Sequence, residues 1–371
     1  MEYLANDAVY DILINLTEEE TIRFRGIIEQ TLEDFSVGGE RDNQPAPSTA
    51  TRPNGQRTLV RTFTSDTAVG AKLVVTPAPR ANGKTDPLHG LIVLLDGLGT
   101  PTGLIAAEEV TGYRTAMNAM VPFSWRKHVE NIIIFGGGVQ ALWHTRLMLT
   151  LRGEQVKRIT FVNRSRERVD GLIETVSKEN KARWKSACAF DYIGTTASDF
   201  QEQLKSRLAE ADGVFCTTPS QSPLFPAAYL TEKGDTKRRP LISAVGSWQP
   251  DMIELDPALF HHAIGAHGGY NPATGEQKGV VLVDDRDYAV GHAGEILQSK
   301  VSAEQMVELG HIIGLRSGKV HPVYDSHLEK MNRFISEGFV VYKSVGVSLT
   351  DLTIAKAILK LKGARKEIIS A

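Results

Sequence analysis

The stretch NIIIFGGGVQALWHTRL, residues 131–147, carries its chemistry in its glycines. An apolar run passes into Gly136, Gly137 and Gly138, and a helical stretch opens at once. The pattern fits G-x-G-x-x-A, with Ala141 at the last position. Gly136 permits a tight turn out of a strand, Gly138 lets backbone approach a pyrophosphate, and Ala141 lets helix and strand pack closely. The free N–H groups and the dipole of the helix start then face the phosphate charge. Gly136, Gly138, Val139 and Gln140 are the candidate phosphate-binding residues. At the end of the next strand, an Asp or Glu would grip the ribose 2'-hydroxyl of NAD. This chain has Asn163, Arg164 and Ser165 there. No carboxylate repels a 2'-phosphate, Arg164 can pair with one, and Ser165 can donate to it. The expected cofactor is NADPH, with NAD less favoured.

A glycine triplet is weak evidence by itself, because loops collect glycine. The surrounding elements strengthen it. From about residue 130, short apolar strands alternate with helical stretches: NIIIFG, RITFVN, CAFDYI, GVFCTT, PLISAVG and GVVLVDD. This rhythm predicts an α/β fold with a parallel, doubly wound sheet. The triplet follows its first strand and opens its first helix, as a dinucleotide motif requires. Upstream, LTEEETIRFRGIIEQTLEDF reads as an amphipathic helix, with Thr17 and Glu20 as a capping box and Ile22, Phe24, Ile27, Ile28 and Leu32 as its apolar stripe. Residues 38–57 read as a long loop. TLVRTFT, GAKLVVTP and HGLIVLLD read as strands, and DGLGTPTG as a hairpin turn into GLIAA, which predicts an antiparallel N-terminal sheet. The last 45 or so residues read as helical by periodicity.

Composition excludes several classes. The 371 residues, 42% hydrophobic and 23% charged, suit a soluble chain of two domains. A formal net charge of -2 offers no basic field for nucleic acid. No apolar run is long enough to span a bilayer. Cys188 and Cys216 fit neither a zinc site nor a disulfide framework, and MEYLANDAVYD lacks a signal-peptide pattern, so the expected location is the cytoplasm. His261, His262 and His267 cluster in FHHAIGAHGGYNP without Cys or carboxylate partners at ligand spacing, so a solvated loop is expected rather than a metal site. His89, before a strand, is a candidate proton donor, although such a loop histidine is more often satisfied locally.

Residues 70–142 resemble the ornithine cyclodeaminase/mu-crystallin family. The resemblance is carried by Lys72 in GAKLVV, by GTPTG, by VTGYRTAMNA with Arg114 and Thr115, and by GGGVQA. CTTPSQSPLF (216–225), SAVGSWQPDMIELD (243–256) and YKSVGVSLTDLTIAK (342–356) extend it over most of the chain. It implies a Rossmann domain, 126–324, inserted into an α+β substrate-binding and dimerisation domain, 1–125 plus 325–371. It also implies a homodimer and a site between the domains. There Lys72 and Arg114 would hold the carboxylate of an amino or imino acid. Thr217, Thr218 and Pro219 would line the cofactor, and Gly346 would let backbone approach the nicotinamide.

The departures from the family pattern narrow the expectation. Cyclodeaminases carry an Asp where this chain has Trp248, and an indole N–H only donates. In this segment the chain is closer to the ketimine reductase/mu-crystallin branch. An Arg expected after Gln-Pro is missing from NQPAPSTATR, with Arg52 and Arg61 as the nearby replacements. Trp248 adds an aromatic surface suited to a larger or flatter imine. The expected function is NADPH-dependent reduction of the C=N bond of a small imine or amino-acid-like substrate. The alternatives are an ornithine cyclodeaminase or amino-acid dehydrogenase, and a mu-crystallin-like NADPH-binding protein.

Overall fold

The computed structural model describes residues 2–80, 86–231, 239–247, 249–265 and 268–370. Trp248 and His267 lie outside the described residues. The chain divides into two compact units, Met1–Arg114 with Val347–Ala371, and Thr115–Gly346.

The first unit is built on a six-stranded sheet of β1 (Glu2–Leu4), β2 (Ser48–Thr51), β3 (Arg57–Ser65), β4 (Ala68–Thr76), β5 (His89–Asp96) and β6 (Pro101–Ala106), in the order β1-β6-β5-β4-β3-β2. The pairs from β2 to β6 are antiparallel. β1 pairs parallel to β6, so the sheet is mixed rather than wholly antiparallel. The hairpin between β5 and β6 closes through Asp96, whose Oδ1 accepts from Leu98 and Thr100 N–H at 2.9 Å each, while Gly99 takes φ +84°. Helix Glu18–Val37 starts on the Thr17/Glu20 capping box, and Phe24, Ile28 and Leu32 on it are buried. Ile22 is exposed and Ile27 half-buried, so the apolar stripe is narrower than its spacing suggests. The C-terminal helix Ser348–Ser370 packs on this helix and on β3, β4 and β5. Residues 38–57 are not wholly loop. A 3-10 turn spans Glu40–Asn43, and β2 forms because edge pairing with β3 outweighs the local turn composition.

The second unit holds an all-parallel eight-stranded sheet, the Rossmann-type element. Its strands are β7 (Asn131–Phe135), β8 (Arg158–Asn163), β9 (Ala189–Gly194), β10 (Gly213–Cys216), β11 (Leu241–Ala244), β12 (Val281–Val283), β13 (Met306–Glu308) and β14 (Val340–Lys343). The order β13-β12-β14-β11-β10-β7-β8-β9 reverses direction at β7 and β10. The crevice beyond the carboxyl ends of these two strands is where such sheets bind ligands. Ile133, Phe135, Val214, Ile242, Val281 and Val341 form a shared core along it. Two strands go beyond the six expected. β13 is short, and β14 lies in a segment read as helical. A buried parallel strand of four residues leaves no periodicity to read. β14 inserts between β11 and β12, and the second unit therefore extends to Gly346, past the expected boundary at 324.

Candidate active site

In the first unit, strand register brings charge together. Lys72 sits on β4, with Arg61 of β3 opposite on one side and Ile92 of β5 on the other. Helix Ala107–Ser124 contributes Arg114, and the C-terminal helix contributes Asp351. Asp351 is fully buried, and its Oδ1 accepts from Lys72 Nζ at 3.1 Å and from Arg114 Nε at 2.9 Å. Burial pushes the Lys72 ammonium down to about 8. Asp351 opposes that shift, while Arg114 and Arg61 add to it. Burial works against the charge of Asp351, but Arg114, Lys72 and Arg61 outweigh it and hold the carboxyl below its ordinary range. The terminal nitrogens of Arg114 make no hydrogen bond with any described residue, which leaves a planar donor fork for an anion. An ammonium poised near neutral pH beside such a fork can hold an acid group and give up a proton.

His89 does not belong to this cluster. Its side chain is 77% exposed and pairs with Glu108 Oε1 at 2.9 Å. It lies three residues along β5 from Ile92, the neighbour of Lys72, about 10 Å away at strand rise.

The glycine turn of the second unit is built as the motif requires. Gly136 has φ +122°, and a Cβ there would sit 2.5 Å from Thr217 Oγ1. Thr217 in turn ties β10 to β7, its N–H and Oγ1 both donating to Phe135 O. Gly138 caps helix Val139–Arg152, and nothing lies within 4 Å of where its Cβ would be. Its face is open to a ligand, and the first helical N–H groups have no side-chain cap. Val139 is exposed, Gln140 is half-buried, and Ala141 is fully buried against the sheet. Asn163 ends β8 beside Gly137, its Nδ2 donating to Ser165 O at 3.1 Å. Ser165 caps the next helix by accepting from Arg168 N–H, and its hydroxyl proton stays available. Arg164 is exposed and has no ion pair or hydrogen bond with a described residue. These residues fit a dinucleotide: an open glycine and an uncapped helix start, with an exposed guanidinium just past the end of β8.

A buried network that sequence reasoning missed supports this end of the sheet. Glu254 Oε1 accepts from Thr218 N–H at 2.6 Å, and its Oε2 accepts from Gly246 and Ser247 N–H at 2.7 and 3.2 Å. One carboxylate thus fixes the loops after β10 and β11, with Pro219 exposed at the rim. Burial raises the Glu254 carboxyl to about 7. Lys343 of β14, fully buried, donates to Ser247 Oγ at 2.6 Å and lies 3.7 Å from Glu295. Asp284, after β12, accepts from Ser344 Oγ and from the N–H groups of Val345 and Gly346 at 2.6–2.9 Å. It fixes the turn in which Gly346 takes φ +88°. The only local signal was an acid or lysine at the end of a short apolar run.

His261 and His262 lie on helix Pro257–Ile264 rather than in a loop, with the His262 ring against Phe339. The described residues contain no group of three or more potential metal ligands.

With this geometry in place, comparison with known proteins fixes the lineage. The sequence matches the ornithine cyclodeaminase/mu-crystallin family over residues 14–362. The chain belongs to that family. A Dictyostelium discoideum protein described as an uncharacterized cyclodeaminase is 30% identical over 302 residues, 80% of this chain and 76% of the relative. A Delta(1)-pyrroline-2-carboxylate reductase of Bacillus thuringiensis is 27% identical over 298 residues, 78% of this chain and 76% of the relative. The solved structure of a Thermococcus litoralis Delta(1)-pyrroline-2-carboxylate reductase, in complex with NADH and L-proline, matches with a TM-score of 0.71 at 16% identity over 97% of each chain. That likeness shows the shared fold.

Proposed function

We propose that this family member is an NAD(P)H-dependent reductase of C=N bonds, that NADPH is its preferred cofactor, and that its substrate is an imine bearing a carboxylate. The observation that carries the reading is the buried Lys72–Arg114–Asp351 cluster, which combines an open guanidinium fork with an ammonium depressed to about 8. In this reading Arg114 holds the acid group. Lys72 gives its proton to the imine nitrogen, which makes the adjacent carbon electrophilic, and Asp351 fixes both cations in place. The nucleotide would be held by Gly136, Gly138, Val139, Gln140, Thr217, Thr218, Pro219 and Gly346, with Asn163, Arg164 and Ser165 toward the 2'-phosphate. When bound it supplies hydride to that carbon. The Bacillus relative, named as a Delta(1)-pyrroline-2-carboxylate reductase, supports the reaction class, since a pyrroline ring carries a C=N bond. A homodimer is part of the same proposal, and the mass in solution tests it.

A second reading, a cyclodeaminase, is favoured by the description of the Dictyostelium relative. One experiment separates the two. NADPH consumption is followed with Delta(1)-pyrroline-2-carboxylate and piperideine-2-carboxylate, beside L-ornithine with NAD assayed for ammonia and proline. Imine turnover without ornithine turnover is the expected result. Proline and ammonia from ornithine would establish the cyclodeaminase. Tight NADPH binding with no turnover in either assay would leave a binding protein.

A further inference from the structure

The loops that follow β10 and β11 are pressed together at the carboxyl end of the parallel sheet. Val245 N–H donates to Cys216 O at 3.1 Å, and a Cβ on Gly246 would lie 2.1 Å from Thr218 O. Glu254 spans both loops, and its side chain meets donors on each side. Thr218 N–H and Oγ1 donate to Oε1 at 2.6 and 3.2 Å, and the N–H groups of Gly246 and Ser247 donate to Oε2 at 2.7 and 3.2 Å. Such a set matches an ionised carboxylate, which only accepts. Lys343 pairs with a different acid, its Nζ 3.7 Å from Glu295 Oε2, and Glu254 has no ion pair with a described residue. The Cys216 thiol also faces the two acids and stays neutral, because burial pushes it up. One ammonium and two carboxylates, all at 0% exposure, leave a surplus negative charge that a proton can cancel. Burial raises the Glu254 carboxyl to about 7, and Glu295 adds to that shift against Lys343 and the N–H groups of Thr218 and Gly246, so Glu254 is the acid that takes the proton. The added hydrogen lands on an oxygen that already faces donors, and one of the two loops then loses its charge-assisted acceptor.

We propose that Glu254 is a positioning residue for the nucleotide: its ionised carboxylate holds Thr218 and the Gly246–Ser247 turn in the binding arrangement, and protonation releases one of them, so nucleotide affinity falls in acid. This rests on reading Thr217, Thr218 and Pro219 as cofactor residues. In E254Q the amide offers one acceptor and turns N–H donors toward the other loop, as the neutral acid does. The test measures the Kd of NADPH by fluorescence titration for the wild type and E254Q between pH 5.5 and 8.5. The 2'-phosphate titrates alike with both proteins and cancels in the ratio. E254Q should bind about ten-fold more weakly than the wild type at pH 8.5 and within about two-fold of it at pH 5.5, because one pH unit of linkage is ten-fold in affinity. A structural role alone would weaken E254Q equally at every pH; that result, or no loss at all, overturns the proposal. If E254Q does not fold, the wild type is titrated with NADH, which has no group of its own titrating in this range. A Kd about ten-fold higher at pH 5.5 than at pH 8.5 supports the proposal, and a flat profile overturns it. No nucleotide binding by the wild type at any pH overturns the cofactor reading, and the proposal with it.

Discussion

Replacing Lys72 with Met tests the electrostatic reading of the cluster through pH rather than through activity alone. Met keeps most of the apolar stem and removes the charge. In the folded protein the ammonium titrates at about 8, against an ordinary lysine value of 10.5. At about 1.4 kcal/mol per pH unit, the buried charge costs roughly 3 kcal/mol. Below pH 8 both folded and unfolded chains hold the proton, and the folded state bears the whole cost. Between pH 8 and 10.5 the unfolded chain still holds a proton that the folded chain has released. Wild-type stability should therefore gain about 3 kcal/mol across that window relative to K72M, because stability rises with pH where the unfolded state binds more protons. For 371 residues melting together, at roughly 2 cal/mol/K of unfolding entropy per residue, the gain is about 4 °C in Tm. The assay is the difference in Tm between wild type and K72M from pH 7.5 to 10.5, in which the other lysines cancel. At pH 7.5, K72M should be as stable as the wild type within about 2 kcal/mol, because loss of the ion pair is offset by loss of the buried charge. Reductase activity should disappear in K72M, while NADPH binding persists. A Tm difference flat with pH would refute the depressed ammonium, and normal turnover would refute its chemical role.

Other predictions follow from the second unit. R164A should weaken NADPH binding at least ten-fold more than NADH binding, measured by nucleotide titration, and equal losses would remove Arg164 from the 2'-phosphate. G136A should destabilise the fold by about 1–3 kcal/mol in thermal or denaturant melts, since its φ of +122° and the Thr217 hydroxyl 2.5 Å from a Cβ both oppose a side chain. Glu254 titrates at about 7 when folded, above its ordinary value of 4.5, so its stabilising contribution is present below pH 4.5 and is lost as pH rises to 7. Relative to E254Q, the wild type should lose about 3 kcal/mol between pH 4.5 and 7, and a constant difference across that range would show that the carboxyl is not perturbed.

Residue types and short-range spacing determined the local parts of this protein. Thr17 and Glu20 cap a helix because a capping box needs only four consecutive residues. The glycine turn was legible because strand, turn and helix adjoin in sequence, and because Gly136 and Gly138 answer to backbone geometry rather than to distant partners. The absence of a carboxylate beside Arg164 was legible for the same reason. Lys72 and Arg114 were marked through the family resemblance, but their counterion was not. Asp351 is 279 residues from Lys72 in sequence, and a lysine's neighbours do not declare which helix will cover its strand. Arg61 was one of two loosely placed candidates until the β3–β4 register set it opposite Lys72. His89 looked near Lys72 on paper, yet it points to Glu108 at the far end of its strand. β14 was hidden because a strand of four buried residues takes its structure from its neighbours, here β11 and β12. Its position is what buries Lys343 beside Ser247 and Glu295. Local conformation follows from backbone preferences that a short window contains. Counterions, burial and the resulting shifts in proton affinity follow from sheet order and register, which only the folded chain decides.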